Sequence, residues 1–351
     1  MTVRTRLLVL LAAVGLLTAV AVGAVRHAAD RGDRRDRTAS GPPVTAGQVT
    51  LTAAGSTRAP MLVFRNMVWG PHRDELASVP SADPDGPRTA STVHCLRFYA
   101  AVGTGICLQA VHAAVSDTFA AVILDAGLRE QRRYFLDGIP TRARVSPSGH
   151  LVAWTVFVSG DSYGVGQFST RTSILDTRTW TLQRTLEDYQ VVKDGHAYRN
   201  ADVNFWGVTF ADDDHFYATL ATGGSTYLVR GDVAARTLTT VRENVECPSL
   251  APDGTRLAFK KRVPGLPADA PWRLYVLDLS TMGETPLAEN RSVDDQAVWL
   301  DDETLTYALP GDFGSDMWTV AANGGGNPRR LLTAAMAPSV VNGVDGSSRH
   351  N

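Results

Sequence analysis

The sequence predicts an all-β repeat fold, and the first observation behind this prediction is a recurring strand-turn-strand unit. A turn rich in Pro, Asp and Gly, such as Pro252-Asp253-Gly254, leads into a short apolar strand at four places, 146–154, 210–218, 251–259 and 299–307. Such a unit, repeated every few dozen residues, is typical of a β-propeller, in which each blade is a small antiparallel sheet.

The second observation is that further strands follow in a regular order, as a four-stranded blade requires. Third strands that end near Asp, Asn or Gly recur about every 45 to 55 residues, a spacing typical of propeller blades. They lie at 122–125, 173–176, 228–232, 275–278 and 318–323. Fourth strands are expected at 131–135, 182–186, 237–242, 285–288 and 329–332.

These strands make five full blades, which begin near residues 94, 141, 203, 246 and 295. The remaining strands lie at the two ends of the repeat region, at 61–64, 75–79 and 337–341. If the last of them becomes the innermost strand of the first blade, the ring closes and sheet edges are protected. The sequence therefore predicts a six-bladed β-propeller with four-stranded blades over residues 59–341.

The first 25 residues predict a signal peptide or a transmembrane anchor. Arg4 and Arg6 precede an uninterrupted run of apolar and small residues from Leu7 to Val25. This run is long enough to be a membrane-span candidate, and its charge order is that of a secretory signal. The sequence leaves open whether this N-terminal segment is cleaved or retained. We expect an extracytoplasmic protein, membrane-anchored or secreted, with a flexible linker at 26–58 and a disordered tail at 342–351.

The composition fits a globular domain and argues against nucleic-acid binding. Apolar residues make up 44% of the chain and charged residues 20%, which is usual for a protein with a sizeable core. The formal net charge is −2, whereas a nucleic-acid-binding surface leaves a basic footprint.

The three cysteines predict one disulfide and one free thiol, as suits an exported protein. Cys95 and Cys107 are close in sequence and form the favoured pair, which leaves Cys247 free. The hairpin register argues against this disulfide. In a hairpin centred near residue 104, Cys95 and Cys107 lie several residues out of register, so they are not opposite each other. Two Cα atoms more than about 7 Å apart cannot be bridged without backbone movement.

The turns at 146–149 and 251–254, each followed by an aromatic-ended strand, make the chain resemble the WD40-like PD40 repeats of TolB-type propellers. The resemblance covers about residues 60–341 and is most specific at 246–280. Other segments are similar to those of bacterial exported TolB-like proteins, namely 168–172, 204–210 and 294–296. The linker is too short for the α/β domain that precedes the propeller in TolB. The resemblance therefore implies the fold, and not the role of TolB in the Tol-Pal system.

One segment matches a catalytic motif. Gly160-Asp161-Ser162-Tyr163-Gly164 has the G-x-S-x-G pattern of the hydrolase nucleophile elbow, which requires a strand before it and a helix after it. Residues 165–172 are rich in Gly, Ser and Thr and show no helical period. We therefore expect a long loop in the third blade, and a catalytic Ser162 is the alternative.

Two acidic clusters, 212–214 and 301–303, provide oxygen atoms of the kind that Ca²⁺ prefers. Both occupy the turn position of the repeat, where Asp bonds to nearby backbone amides. The histidines are scattered and lack paired ligand spacing. We expect neither a metal site nor a cofactor.

The candidate binding site is one mouth of the central channel, where the first strand of every blade begins. Side chains of mixed charge converge there, in a polar funnel suited to a small ligand or a peptide; alternatively, they pair only with one another and with water. The candidate residues are His94, Arg142, Arg144, Asn204, Trp206, Glu246, Asp294 and Asp295.

The expected function is non-catalytic binding or scaffolding in the cell envelope. The partner would be an envelope protein or a small ligand, and neither is identified by the sequence. The alternative is an enzyme, either a hydrolase that uses Ser162 or a catalyst at the channel mouth.

Overall fold

The structure is a computed structural model that describes residues 3–38, 41–51, 60–111, 117–158 and 169–341. The N-terminal part provides one long helix and four strands, which are α1 (Val3–Thr38), β1 (Val44–Ala46), β2 (Met61–Asn66), β3 (Glu75–Pro80) and β4 (Arg88–His94). Blades 2 and 3 follow as β5 (Arg97–Ala101), β6 (Thr104–Val111), β7 (Thr118–Leu124), β8 (Glu130–Leu136), β9 (Ile139–Val145), β10 (Leu151–Val158), β11 (Ser169–Asp176) and β12 (Thr181–Gln183).

A short 3₁₀ helix (Leu186–Asp188) leads into blade 4. The strands of this blade are β13 (Gln190–Lys193), β14 (His196–Tyr198), β15 (Asn204–Phe210), β16 (His215–Thr222), β17 (Ser225–Asp232) and β18 (Thr237–Glu243). The last two blades and the closing strand are β19 (Glu246–Leu250), β20 (Arg256–Arg262), β21 (Trp272–Asp278), β22 (Glu284–Pro286), β23 (Val298–Trp299), β24 (Thr304–Leu309), β25 (Asp316–Ala321), β26 (Arg329–Leu332) and β27 (Ala335–Val341).

The strands form six sheets, and the predicted six-bladed propeller is confirmed. The innermost strands of neighbouring blades, from β27 through β5, β9, β15 and β19 to β23, contact one another around the channel. Strand β27 pairs antiparallel with β2, in a register that runs from Met61 opposite Val341 to Asn66 opposite Ala335. The first blade therefore contains both ends of the repeat region, as predicted.

The repeated turn joins the first and second strands of a blade. In blade 5 it lies between β19 and β20, where the Asp253 carboxylate accepts a hydrogen bond from the Thr255 backbone amide. Gly254 follows with a φ of +73°, a conformation that favours glycine because it has no Cβ. The acidic turn of blade 4 behaves alike, since Asp212 accepts from the amides of Asp214 and His215. These aspartates therefore have a structural role in their turns.

The hydrophobic core lies between adjacent blades. Between blades 2 and 3, for example, Ile106 and Ile123 pack in one cluster with Val152 and Trp154, and all four side chains are buried. Strands that are buried on both faces carry near-continuous apolar runs, and removing this surface from water stabilises the ring of blades.

Two segments differ from the predicted boundaries. Within the expected linker, α1 extends to Thr38, and residues 41–51 pack against the propeller. Strand β1 pairs parallel with β4, and the Leu51 side chain is fully buried against blade 2. The apolar residues Val49 and Leu51 explain this packing, because their burial removes them from water. Residues 52–59 and the expected tail at 342–351 lie outside the described residues.

The second difference is at the outer edge of blade 4. Strands β13 and β14 were not predicted, and they extend this sheet to six strands through parallel pairing of β13 with β18. Edge strands are commonly protected in this way from pairing with other chains.

Cys95 and Cys107 form a disulfide, with Cα atoms 5.3 Å apart. The hairpin register pairs Phe98 with Cys107, so the chain has to bend before β5 begins at Arg97. This bend brings Cys95 back toward β6, so the disulfide forms although the two cysteines are not paired in the hairpin register. Cys247 is free and buried.

We expect the double variant Cys95→Ala/Cys107→Ala to lose about 3 kcal/mol of unfolding free energy, the entropy of closing a loop of this size. The two cysteines are 12 residues apart in sequence. Urea denaturation measures the loss. Addition of dithiothreitol should shift the wild-type curve and leave the double variant unchanged; equal shifts of both would contradict the prediction.

Neighbouring blades also bond through their turns. The Asp213 carboxylate of blade 4 accepts hydrogen bonds from Ser146 and Ser148 of blade 3 and lies 2.8 Å from His150 Nδ1. Burial alone would raise the pKa of Asp213, but the bonds from Ser148 and His150 outweigh it and lower the pKa below its usual value of 3.8.

A carboxylate with a depressed pKa in the folded state stabilises the protein above the unfolded pKa, and this contribution is lost as the pH falls through the folded value. We expect Asp213→Asn to lower the unfolding free energy at pH 7 by about 1–2 kcal/mol and to flatten its decline below pH ~4. Asp137→Asn is the control, because that side chain is 89% exposed. An unchanged acid dependence in Asp213→Asn would refute the prediction.

Candidate functional site

A cavity of about 470 Å³ opens at the channel mouth where the innermost strands begin. Blades 2 to 5 contribute side chains to its wall from their strands and hairpin turns, and Asp294 contributes from the segment that leads into blade 6. The strand ends are fixed by sheet hydrogen bonds, so the polar groups of the wall are held in place before a ligand arrives.

Five of the eight candidate residues line this cavity, namely Arg142, Asn204, Trp206, Glu246 and Asp294. Arg144 and Asp295 lie further along the channel, beside a space of about 20 Å³ that shares Arg97 and Arg142 with the cavity. The structure therefore brings seven of the eight residues together along one stretch of the channel.

His94 is the exception, and it lines neither space. It ends β4 at the outside of blade 1, where it is exposed, because the innermost strand of blade 2 begins at Arg97 and not near residue 94. The residue that takes the expected place in the channel mouth is Arg97.

A buried ion-pair network forms one wall of the cavity. Lys260 is 4% exposed and Glu246 5% exposed; the Lys260 ammonium lies 3.5 Å from the Glu246 carboxylate and donates a hydrogen bond to Asp294 at the rim. Trp272 donates its indole N–H to Glu246 and lies 4.2 Å from the Lys260 ammonium, measured to the ring centroid. These contacts fix the charged groups and an aromatic surface beside them.

The network shifts the pKa of Lys260 and of Asp294. Burial alone would lower the pKa of Lys260, but the nearby Cys247, Glu246 and Asp294 raise it above its usual value. Burial likewise works to raise the pKa of Asp294, and the Lys260 ammonium outweighs it and lowers that pKa. Both groups are therefore charged at neutral pH.

Three arginines lie where the cavity narrows. Arg97 contacts Asp295 at 3.4 Å. Arg142 donates to its neighbouring carbonyl at Thr141 and lies 3.7 Å from the Cys247 sulfur. Arg144 donates to the Ala143 and Ala297 carbonyls. Positive charge is therefore concentrated at the bottom of the cavity.

Close packing of the innermost strands depends on one glycine. Gly207 of β15 has a φ of +67°, and a Cβ built on it would lie 2.9 Å from the Cys247 Cα of β19. Both strands have a register irregularity at this level. Bulges of this kind re-aim neighbouring side chains, here in the wall that also holds Trp206 and Glu246.

The repeat pattern does not indicate Arg97, Lys260 or Trp272 as site residues. Lys260 and Trp272 lie on the second and third strands of blade 5, whereas the pattern points to the starts of first strands. The turn at 252–254 indicates the position of Lys260, because a hairpin centred on this turn pairs Lys260 with Glu246, as observed.

The G-x-S-x-G segment with Ser162 lies outside the described residues. Within the described ranges, no group of three or more His, Cys, Asp or Glu side chains is arranged to hold a metal ion.

Comparison with family models and with characterised protein sequences finds no match. Solved structures do match. TolB from Acinetobacter baumannii is 16% identical with a TM-score of 0.51, over 81% of this chain and 66% of the TolB chain. A chain of a nidogen/laminin complex is 10% identical with a TM-score of 0.51, over 81% of this chain and 99% of its own.

A puromycin-hydrolysing peptidase from Mycobacterium tuberculosis also matches, at 13% identity and a TM-score of 0.47. The match covers 84% of this chain but only 47% of the peptidase. The chain thus spans less than two thirds of the TolB chain and under half of the peptidase. At such identities the likeness concerns the fold. The protein is a six-bladed β-propeller with a TolB-like fold.

Proposed function

We propose that the protein is a non-catalytic, extracytoplasmic binding module that takes a small ligand or a short peptide in the channel-mouth cavity. The observation that carries this proposal is the cavity itself, about 470 Å³ in volume and lined by groups from four blades and by Asp294 from the segment before blade 6. Ligand sites are typically concave, of this size, and combine apolar surface with a few convergent polar groups.

The composition of the wall supports binding as the purpose of the site. Trp206 and Trp272 provide aromatic surface, while Arg142, Glu246 and Lys260 provide charge. Burying such charges is costly, and apolar residues of similar volume often stabilise a fold as well or better. Their convergence at one mouth is therefore more easily explained by recognition than by stability.

The N-terminal helix supports export or anchoring. Its Arg4–His27 segment of 24 residues contains an 18-residue stretch with a mean hydropathy of 2.6, and the segment is long and apolar enough to cross a membrane. A signal sequence has the same properties. A propeller delivered in this way acts in the envelope or beyond it, where an envelope protein would be its macromolecular partner.

We assign the cavity to binding rather than to acyl transfer. No histidine lines it within the described part of the chain, and Lys260 is held there as a charged ammonium, whereas an activated serine needs an adjacent general base. The hydrolase alternative depends on Ser162, which lies outside the described residues.

The test is native mass spectrometry of the full chain in detergent after incubation with an envelope extract. Wild type should retain a compound of defined mass. Ser225→Trp should lose it, because residue 225 lies in the cavity wall and the indole fills the mouth. Ser280→Trp is the matched control at an exposed turn. Equal retention by wild type and Ser225→Trp, or no retained compound, would contradict the proposal.

A further inference from the structure

The three arginines at the bottom of the cavity outnumber the carboxylates beside them. Asp295 is the acidic residue that lines the narrow space with them, and its ion pair is with Arg97. Within the described ranges, no carboxylate lies within 4.0 Å of Arg142 or Arg144. Their nearest polar partners are backbone carbonyls, the Cys247 sulfur and, for Arg144, the ring of Tyr99.

This arrangement leaves positive charge without full compensation. Burial lowers the pKa of Arg97, and repulsion from Arg142 adds to that effect. Burial also lowers the pKa of Arg144. Burial acts in the same direction on Arg142, but the nearby Cys247 and Asp295 outweigh it and raise the pKa of that side chain. In a region of low dielectric, a charge that lacks a close counter-ion is unfavourable, and a bound anion between two guanidinium groups relieves both the desolvation and the repulsion.

The position of these groups shows which part of a ligand they would meet. Arg97 and Arg142 line both the cavity and the narrow space beyond it, so their guanidinium groups form the floor of the cavity. Trp206 and Trp272 line the same cavity. A ligand that enters would therefore place an anionic end on the arginines and an apolar body beside the indoles.

The charge balance of the wall decides the kind of anion. Four cationic side chains, Arg97, Arg142, Lys260 and Arg262, line the cavity together with three carboxylates, those of Asp202, Glu246 and Asp294. The surplus is one positive charge. A single carboxylate neutralises it, whereas a phosphate dianion would exceed it and meet repulsion from the acidic groups at the rim.

We propose that Arg97 and Arg142 form a carboxylate subsite, and that the cavity takes a small carboxylic acid with an apolar or aromatic body, such as an N-acylated amino acid. Guanidinium groups match carboxylates geometrically and donate charge-assisted hydrogen bonds to them. This inference rests on the proposed function, because it names the ligand class of the same cavity.

The test uses two probes that differ only in the anionic group, N-acetyl-tryptophan and its amide. Isothermal titration calorimetry on the full chain in detergent, at fixed ionic strength, gives both affinities. The acid should bind at least about tenfold more tightly than the amide, as expected for loss of a charge-assisted bond. Inorganic phosphate should bind more weakly than the acid.

Arg142→Gln should abolish the preference for the acid. Arg129→Gln, the same substitution at a side chain that is 83% exposed, should retain it. Arg142→Gln should bind the amide as tightly as wild type does, because the neutral amide makes no charge-assisted bond to the guanidinium group. This readout separates a binding arginine from a structural one, whose loss would weaken the binding of both probes.

Three results would overturn the inference: equal affinity for acid and amide, an unchanged preference in Arg142→Gln, or no binding of either probe. If acid and amide bind equally and Ser225→Trp abolishes both, the cavity remains a ligand site and the proposed function stands without the carboxylate subsite. If neither binds, the carboxylate subsite fails and the proposed function is judged by the extract experiment alone.

Discussion

Arg88→Met is expected to lower the unfolding free energy by about 3–5 kcal/mol, because it removes the side chain that ties the closing blade together. Arg88 lies on β4 and is 1% exposed. It donates hydrogen bonds to the Thr333 and Ala334 carbonyls, in the segment that leads from β26 into β27, and to the Asn66 side chain.

The size of this effect follows from the buried hydrogen-bond acceptors that lose their donor in Arg88→Met. Burial lowers the pKa of Arg88 to about 10, so the guanidinium is still charged at pH 7 and its bonds are charge-assisted. Methionine fills much of the space but donates nothing, and an unsatisfied buried acceptor costs about 1–3 kcal/mol.

Urea denaturation followed by tryptophan fluorescence measures the loss. Arg330→Met on β26 is the control, since that side chain is 55% exposed and 3.7 Å from Asp316; its loss should cost about 1 kcal/mol or less. If both variants lose the same free energy, Arg88 does not hold the closure.

Lys260→Met is the second variant for which we expect a large effect. It should lower the unfolding free energy by about 3–5 kcal/mol, because it leaves a buried carboxylate without its cation. The Glu246 side chain is 7% exposed and would retain only the indole N–H of Trp272 as a donor among its described contacts. A buried charge without a counter-ion is more destabilising than the absence of the whole pair.

The double variant Lys260→Met/Glu246→Gln should therefore recover much of the loss, and the same denaturation series gives both values. Lys261→Met is a matched control on the next residue, since its partner Glu284 keeps a 2.7 Å ion pair with Arg242. We expect this control to cost about 1 kcal/mol or less. A double variant no more stable than Lys260→Met would show that the pair is not the cause.

The repeat pattern was sufficient to predict the propeller, because turn chemistry and strand periodicity are local properties of the chain. The turns at 146–149 and 251–254 mark the first hairpin of their blades, and the apolar strand at 337–341 was left without a partner except at the N-terminal end. Strands β13 and β14 were missed because nothing local distinguishes an added edge strand from a loop.

The repeat pattern locates candidate residues that lie near the starts of the first strands, but it does not locate residues that reach the cavity from later strands. Arg142, Trp206 and Glu246 line the cavity because each lies near the start of an innermost strand. His94 does not, because the disulfide bend shifts the start of β5 to Arg97. Long side chains on later strands also reach the mouth, and their reach depends on tertiary packing that periodicity does not encode.

Hydrogen–deuterium exchange on the full chain, with and without the compound retained from the envelope extract, tests most directly whether the channel mouth is the binding site. Binding there should slow amide exchange in peptides that cover residues 221–226 and 260–272, which line the cavity or connect its walls. Exchange at the outer strand Glu130–Leu136 should not change. Protection confined to outer strands such as this one, with none at 221–226 or 260–272, would contradict a binding site at the channel mouth.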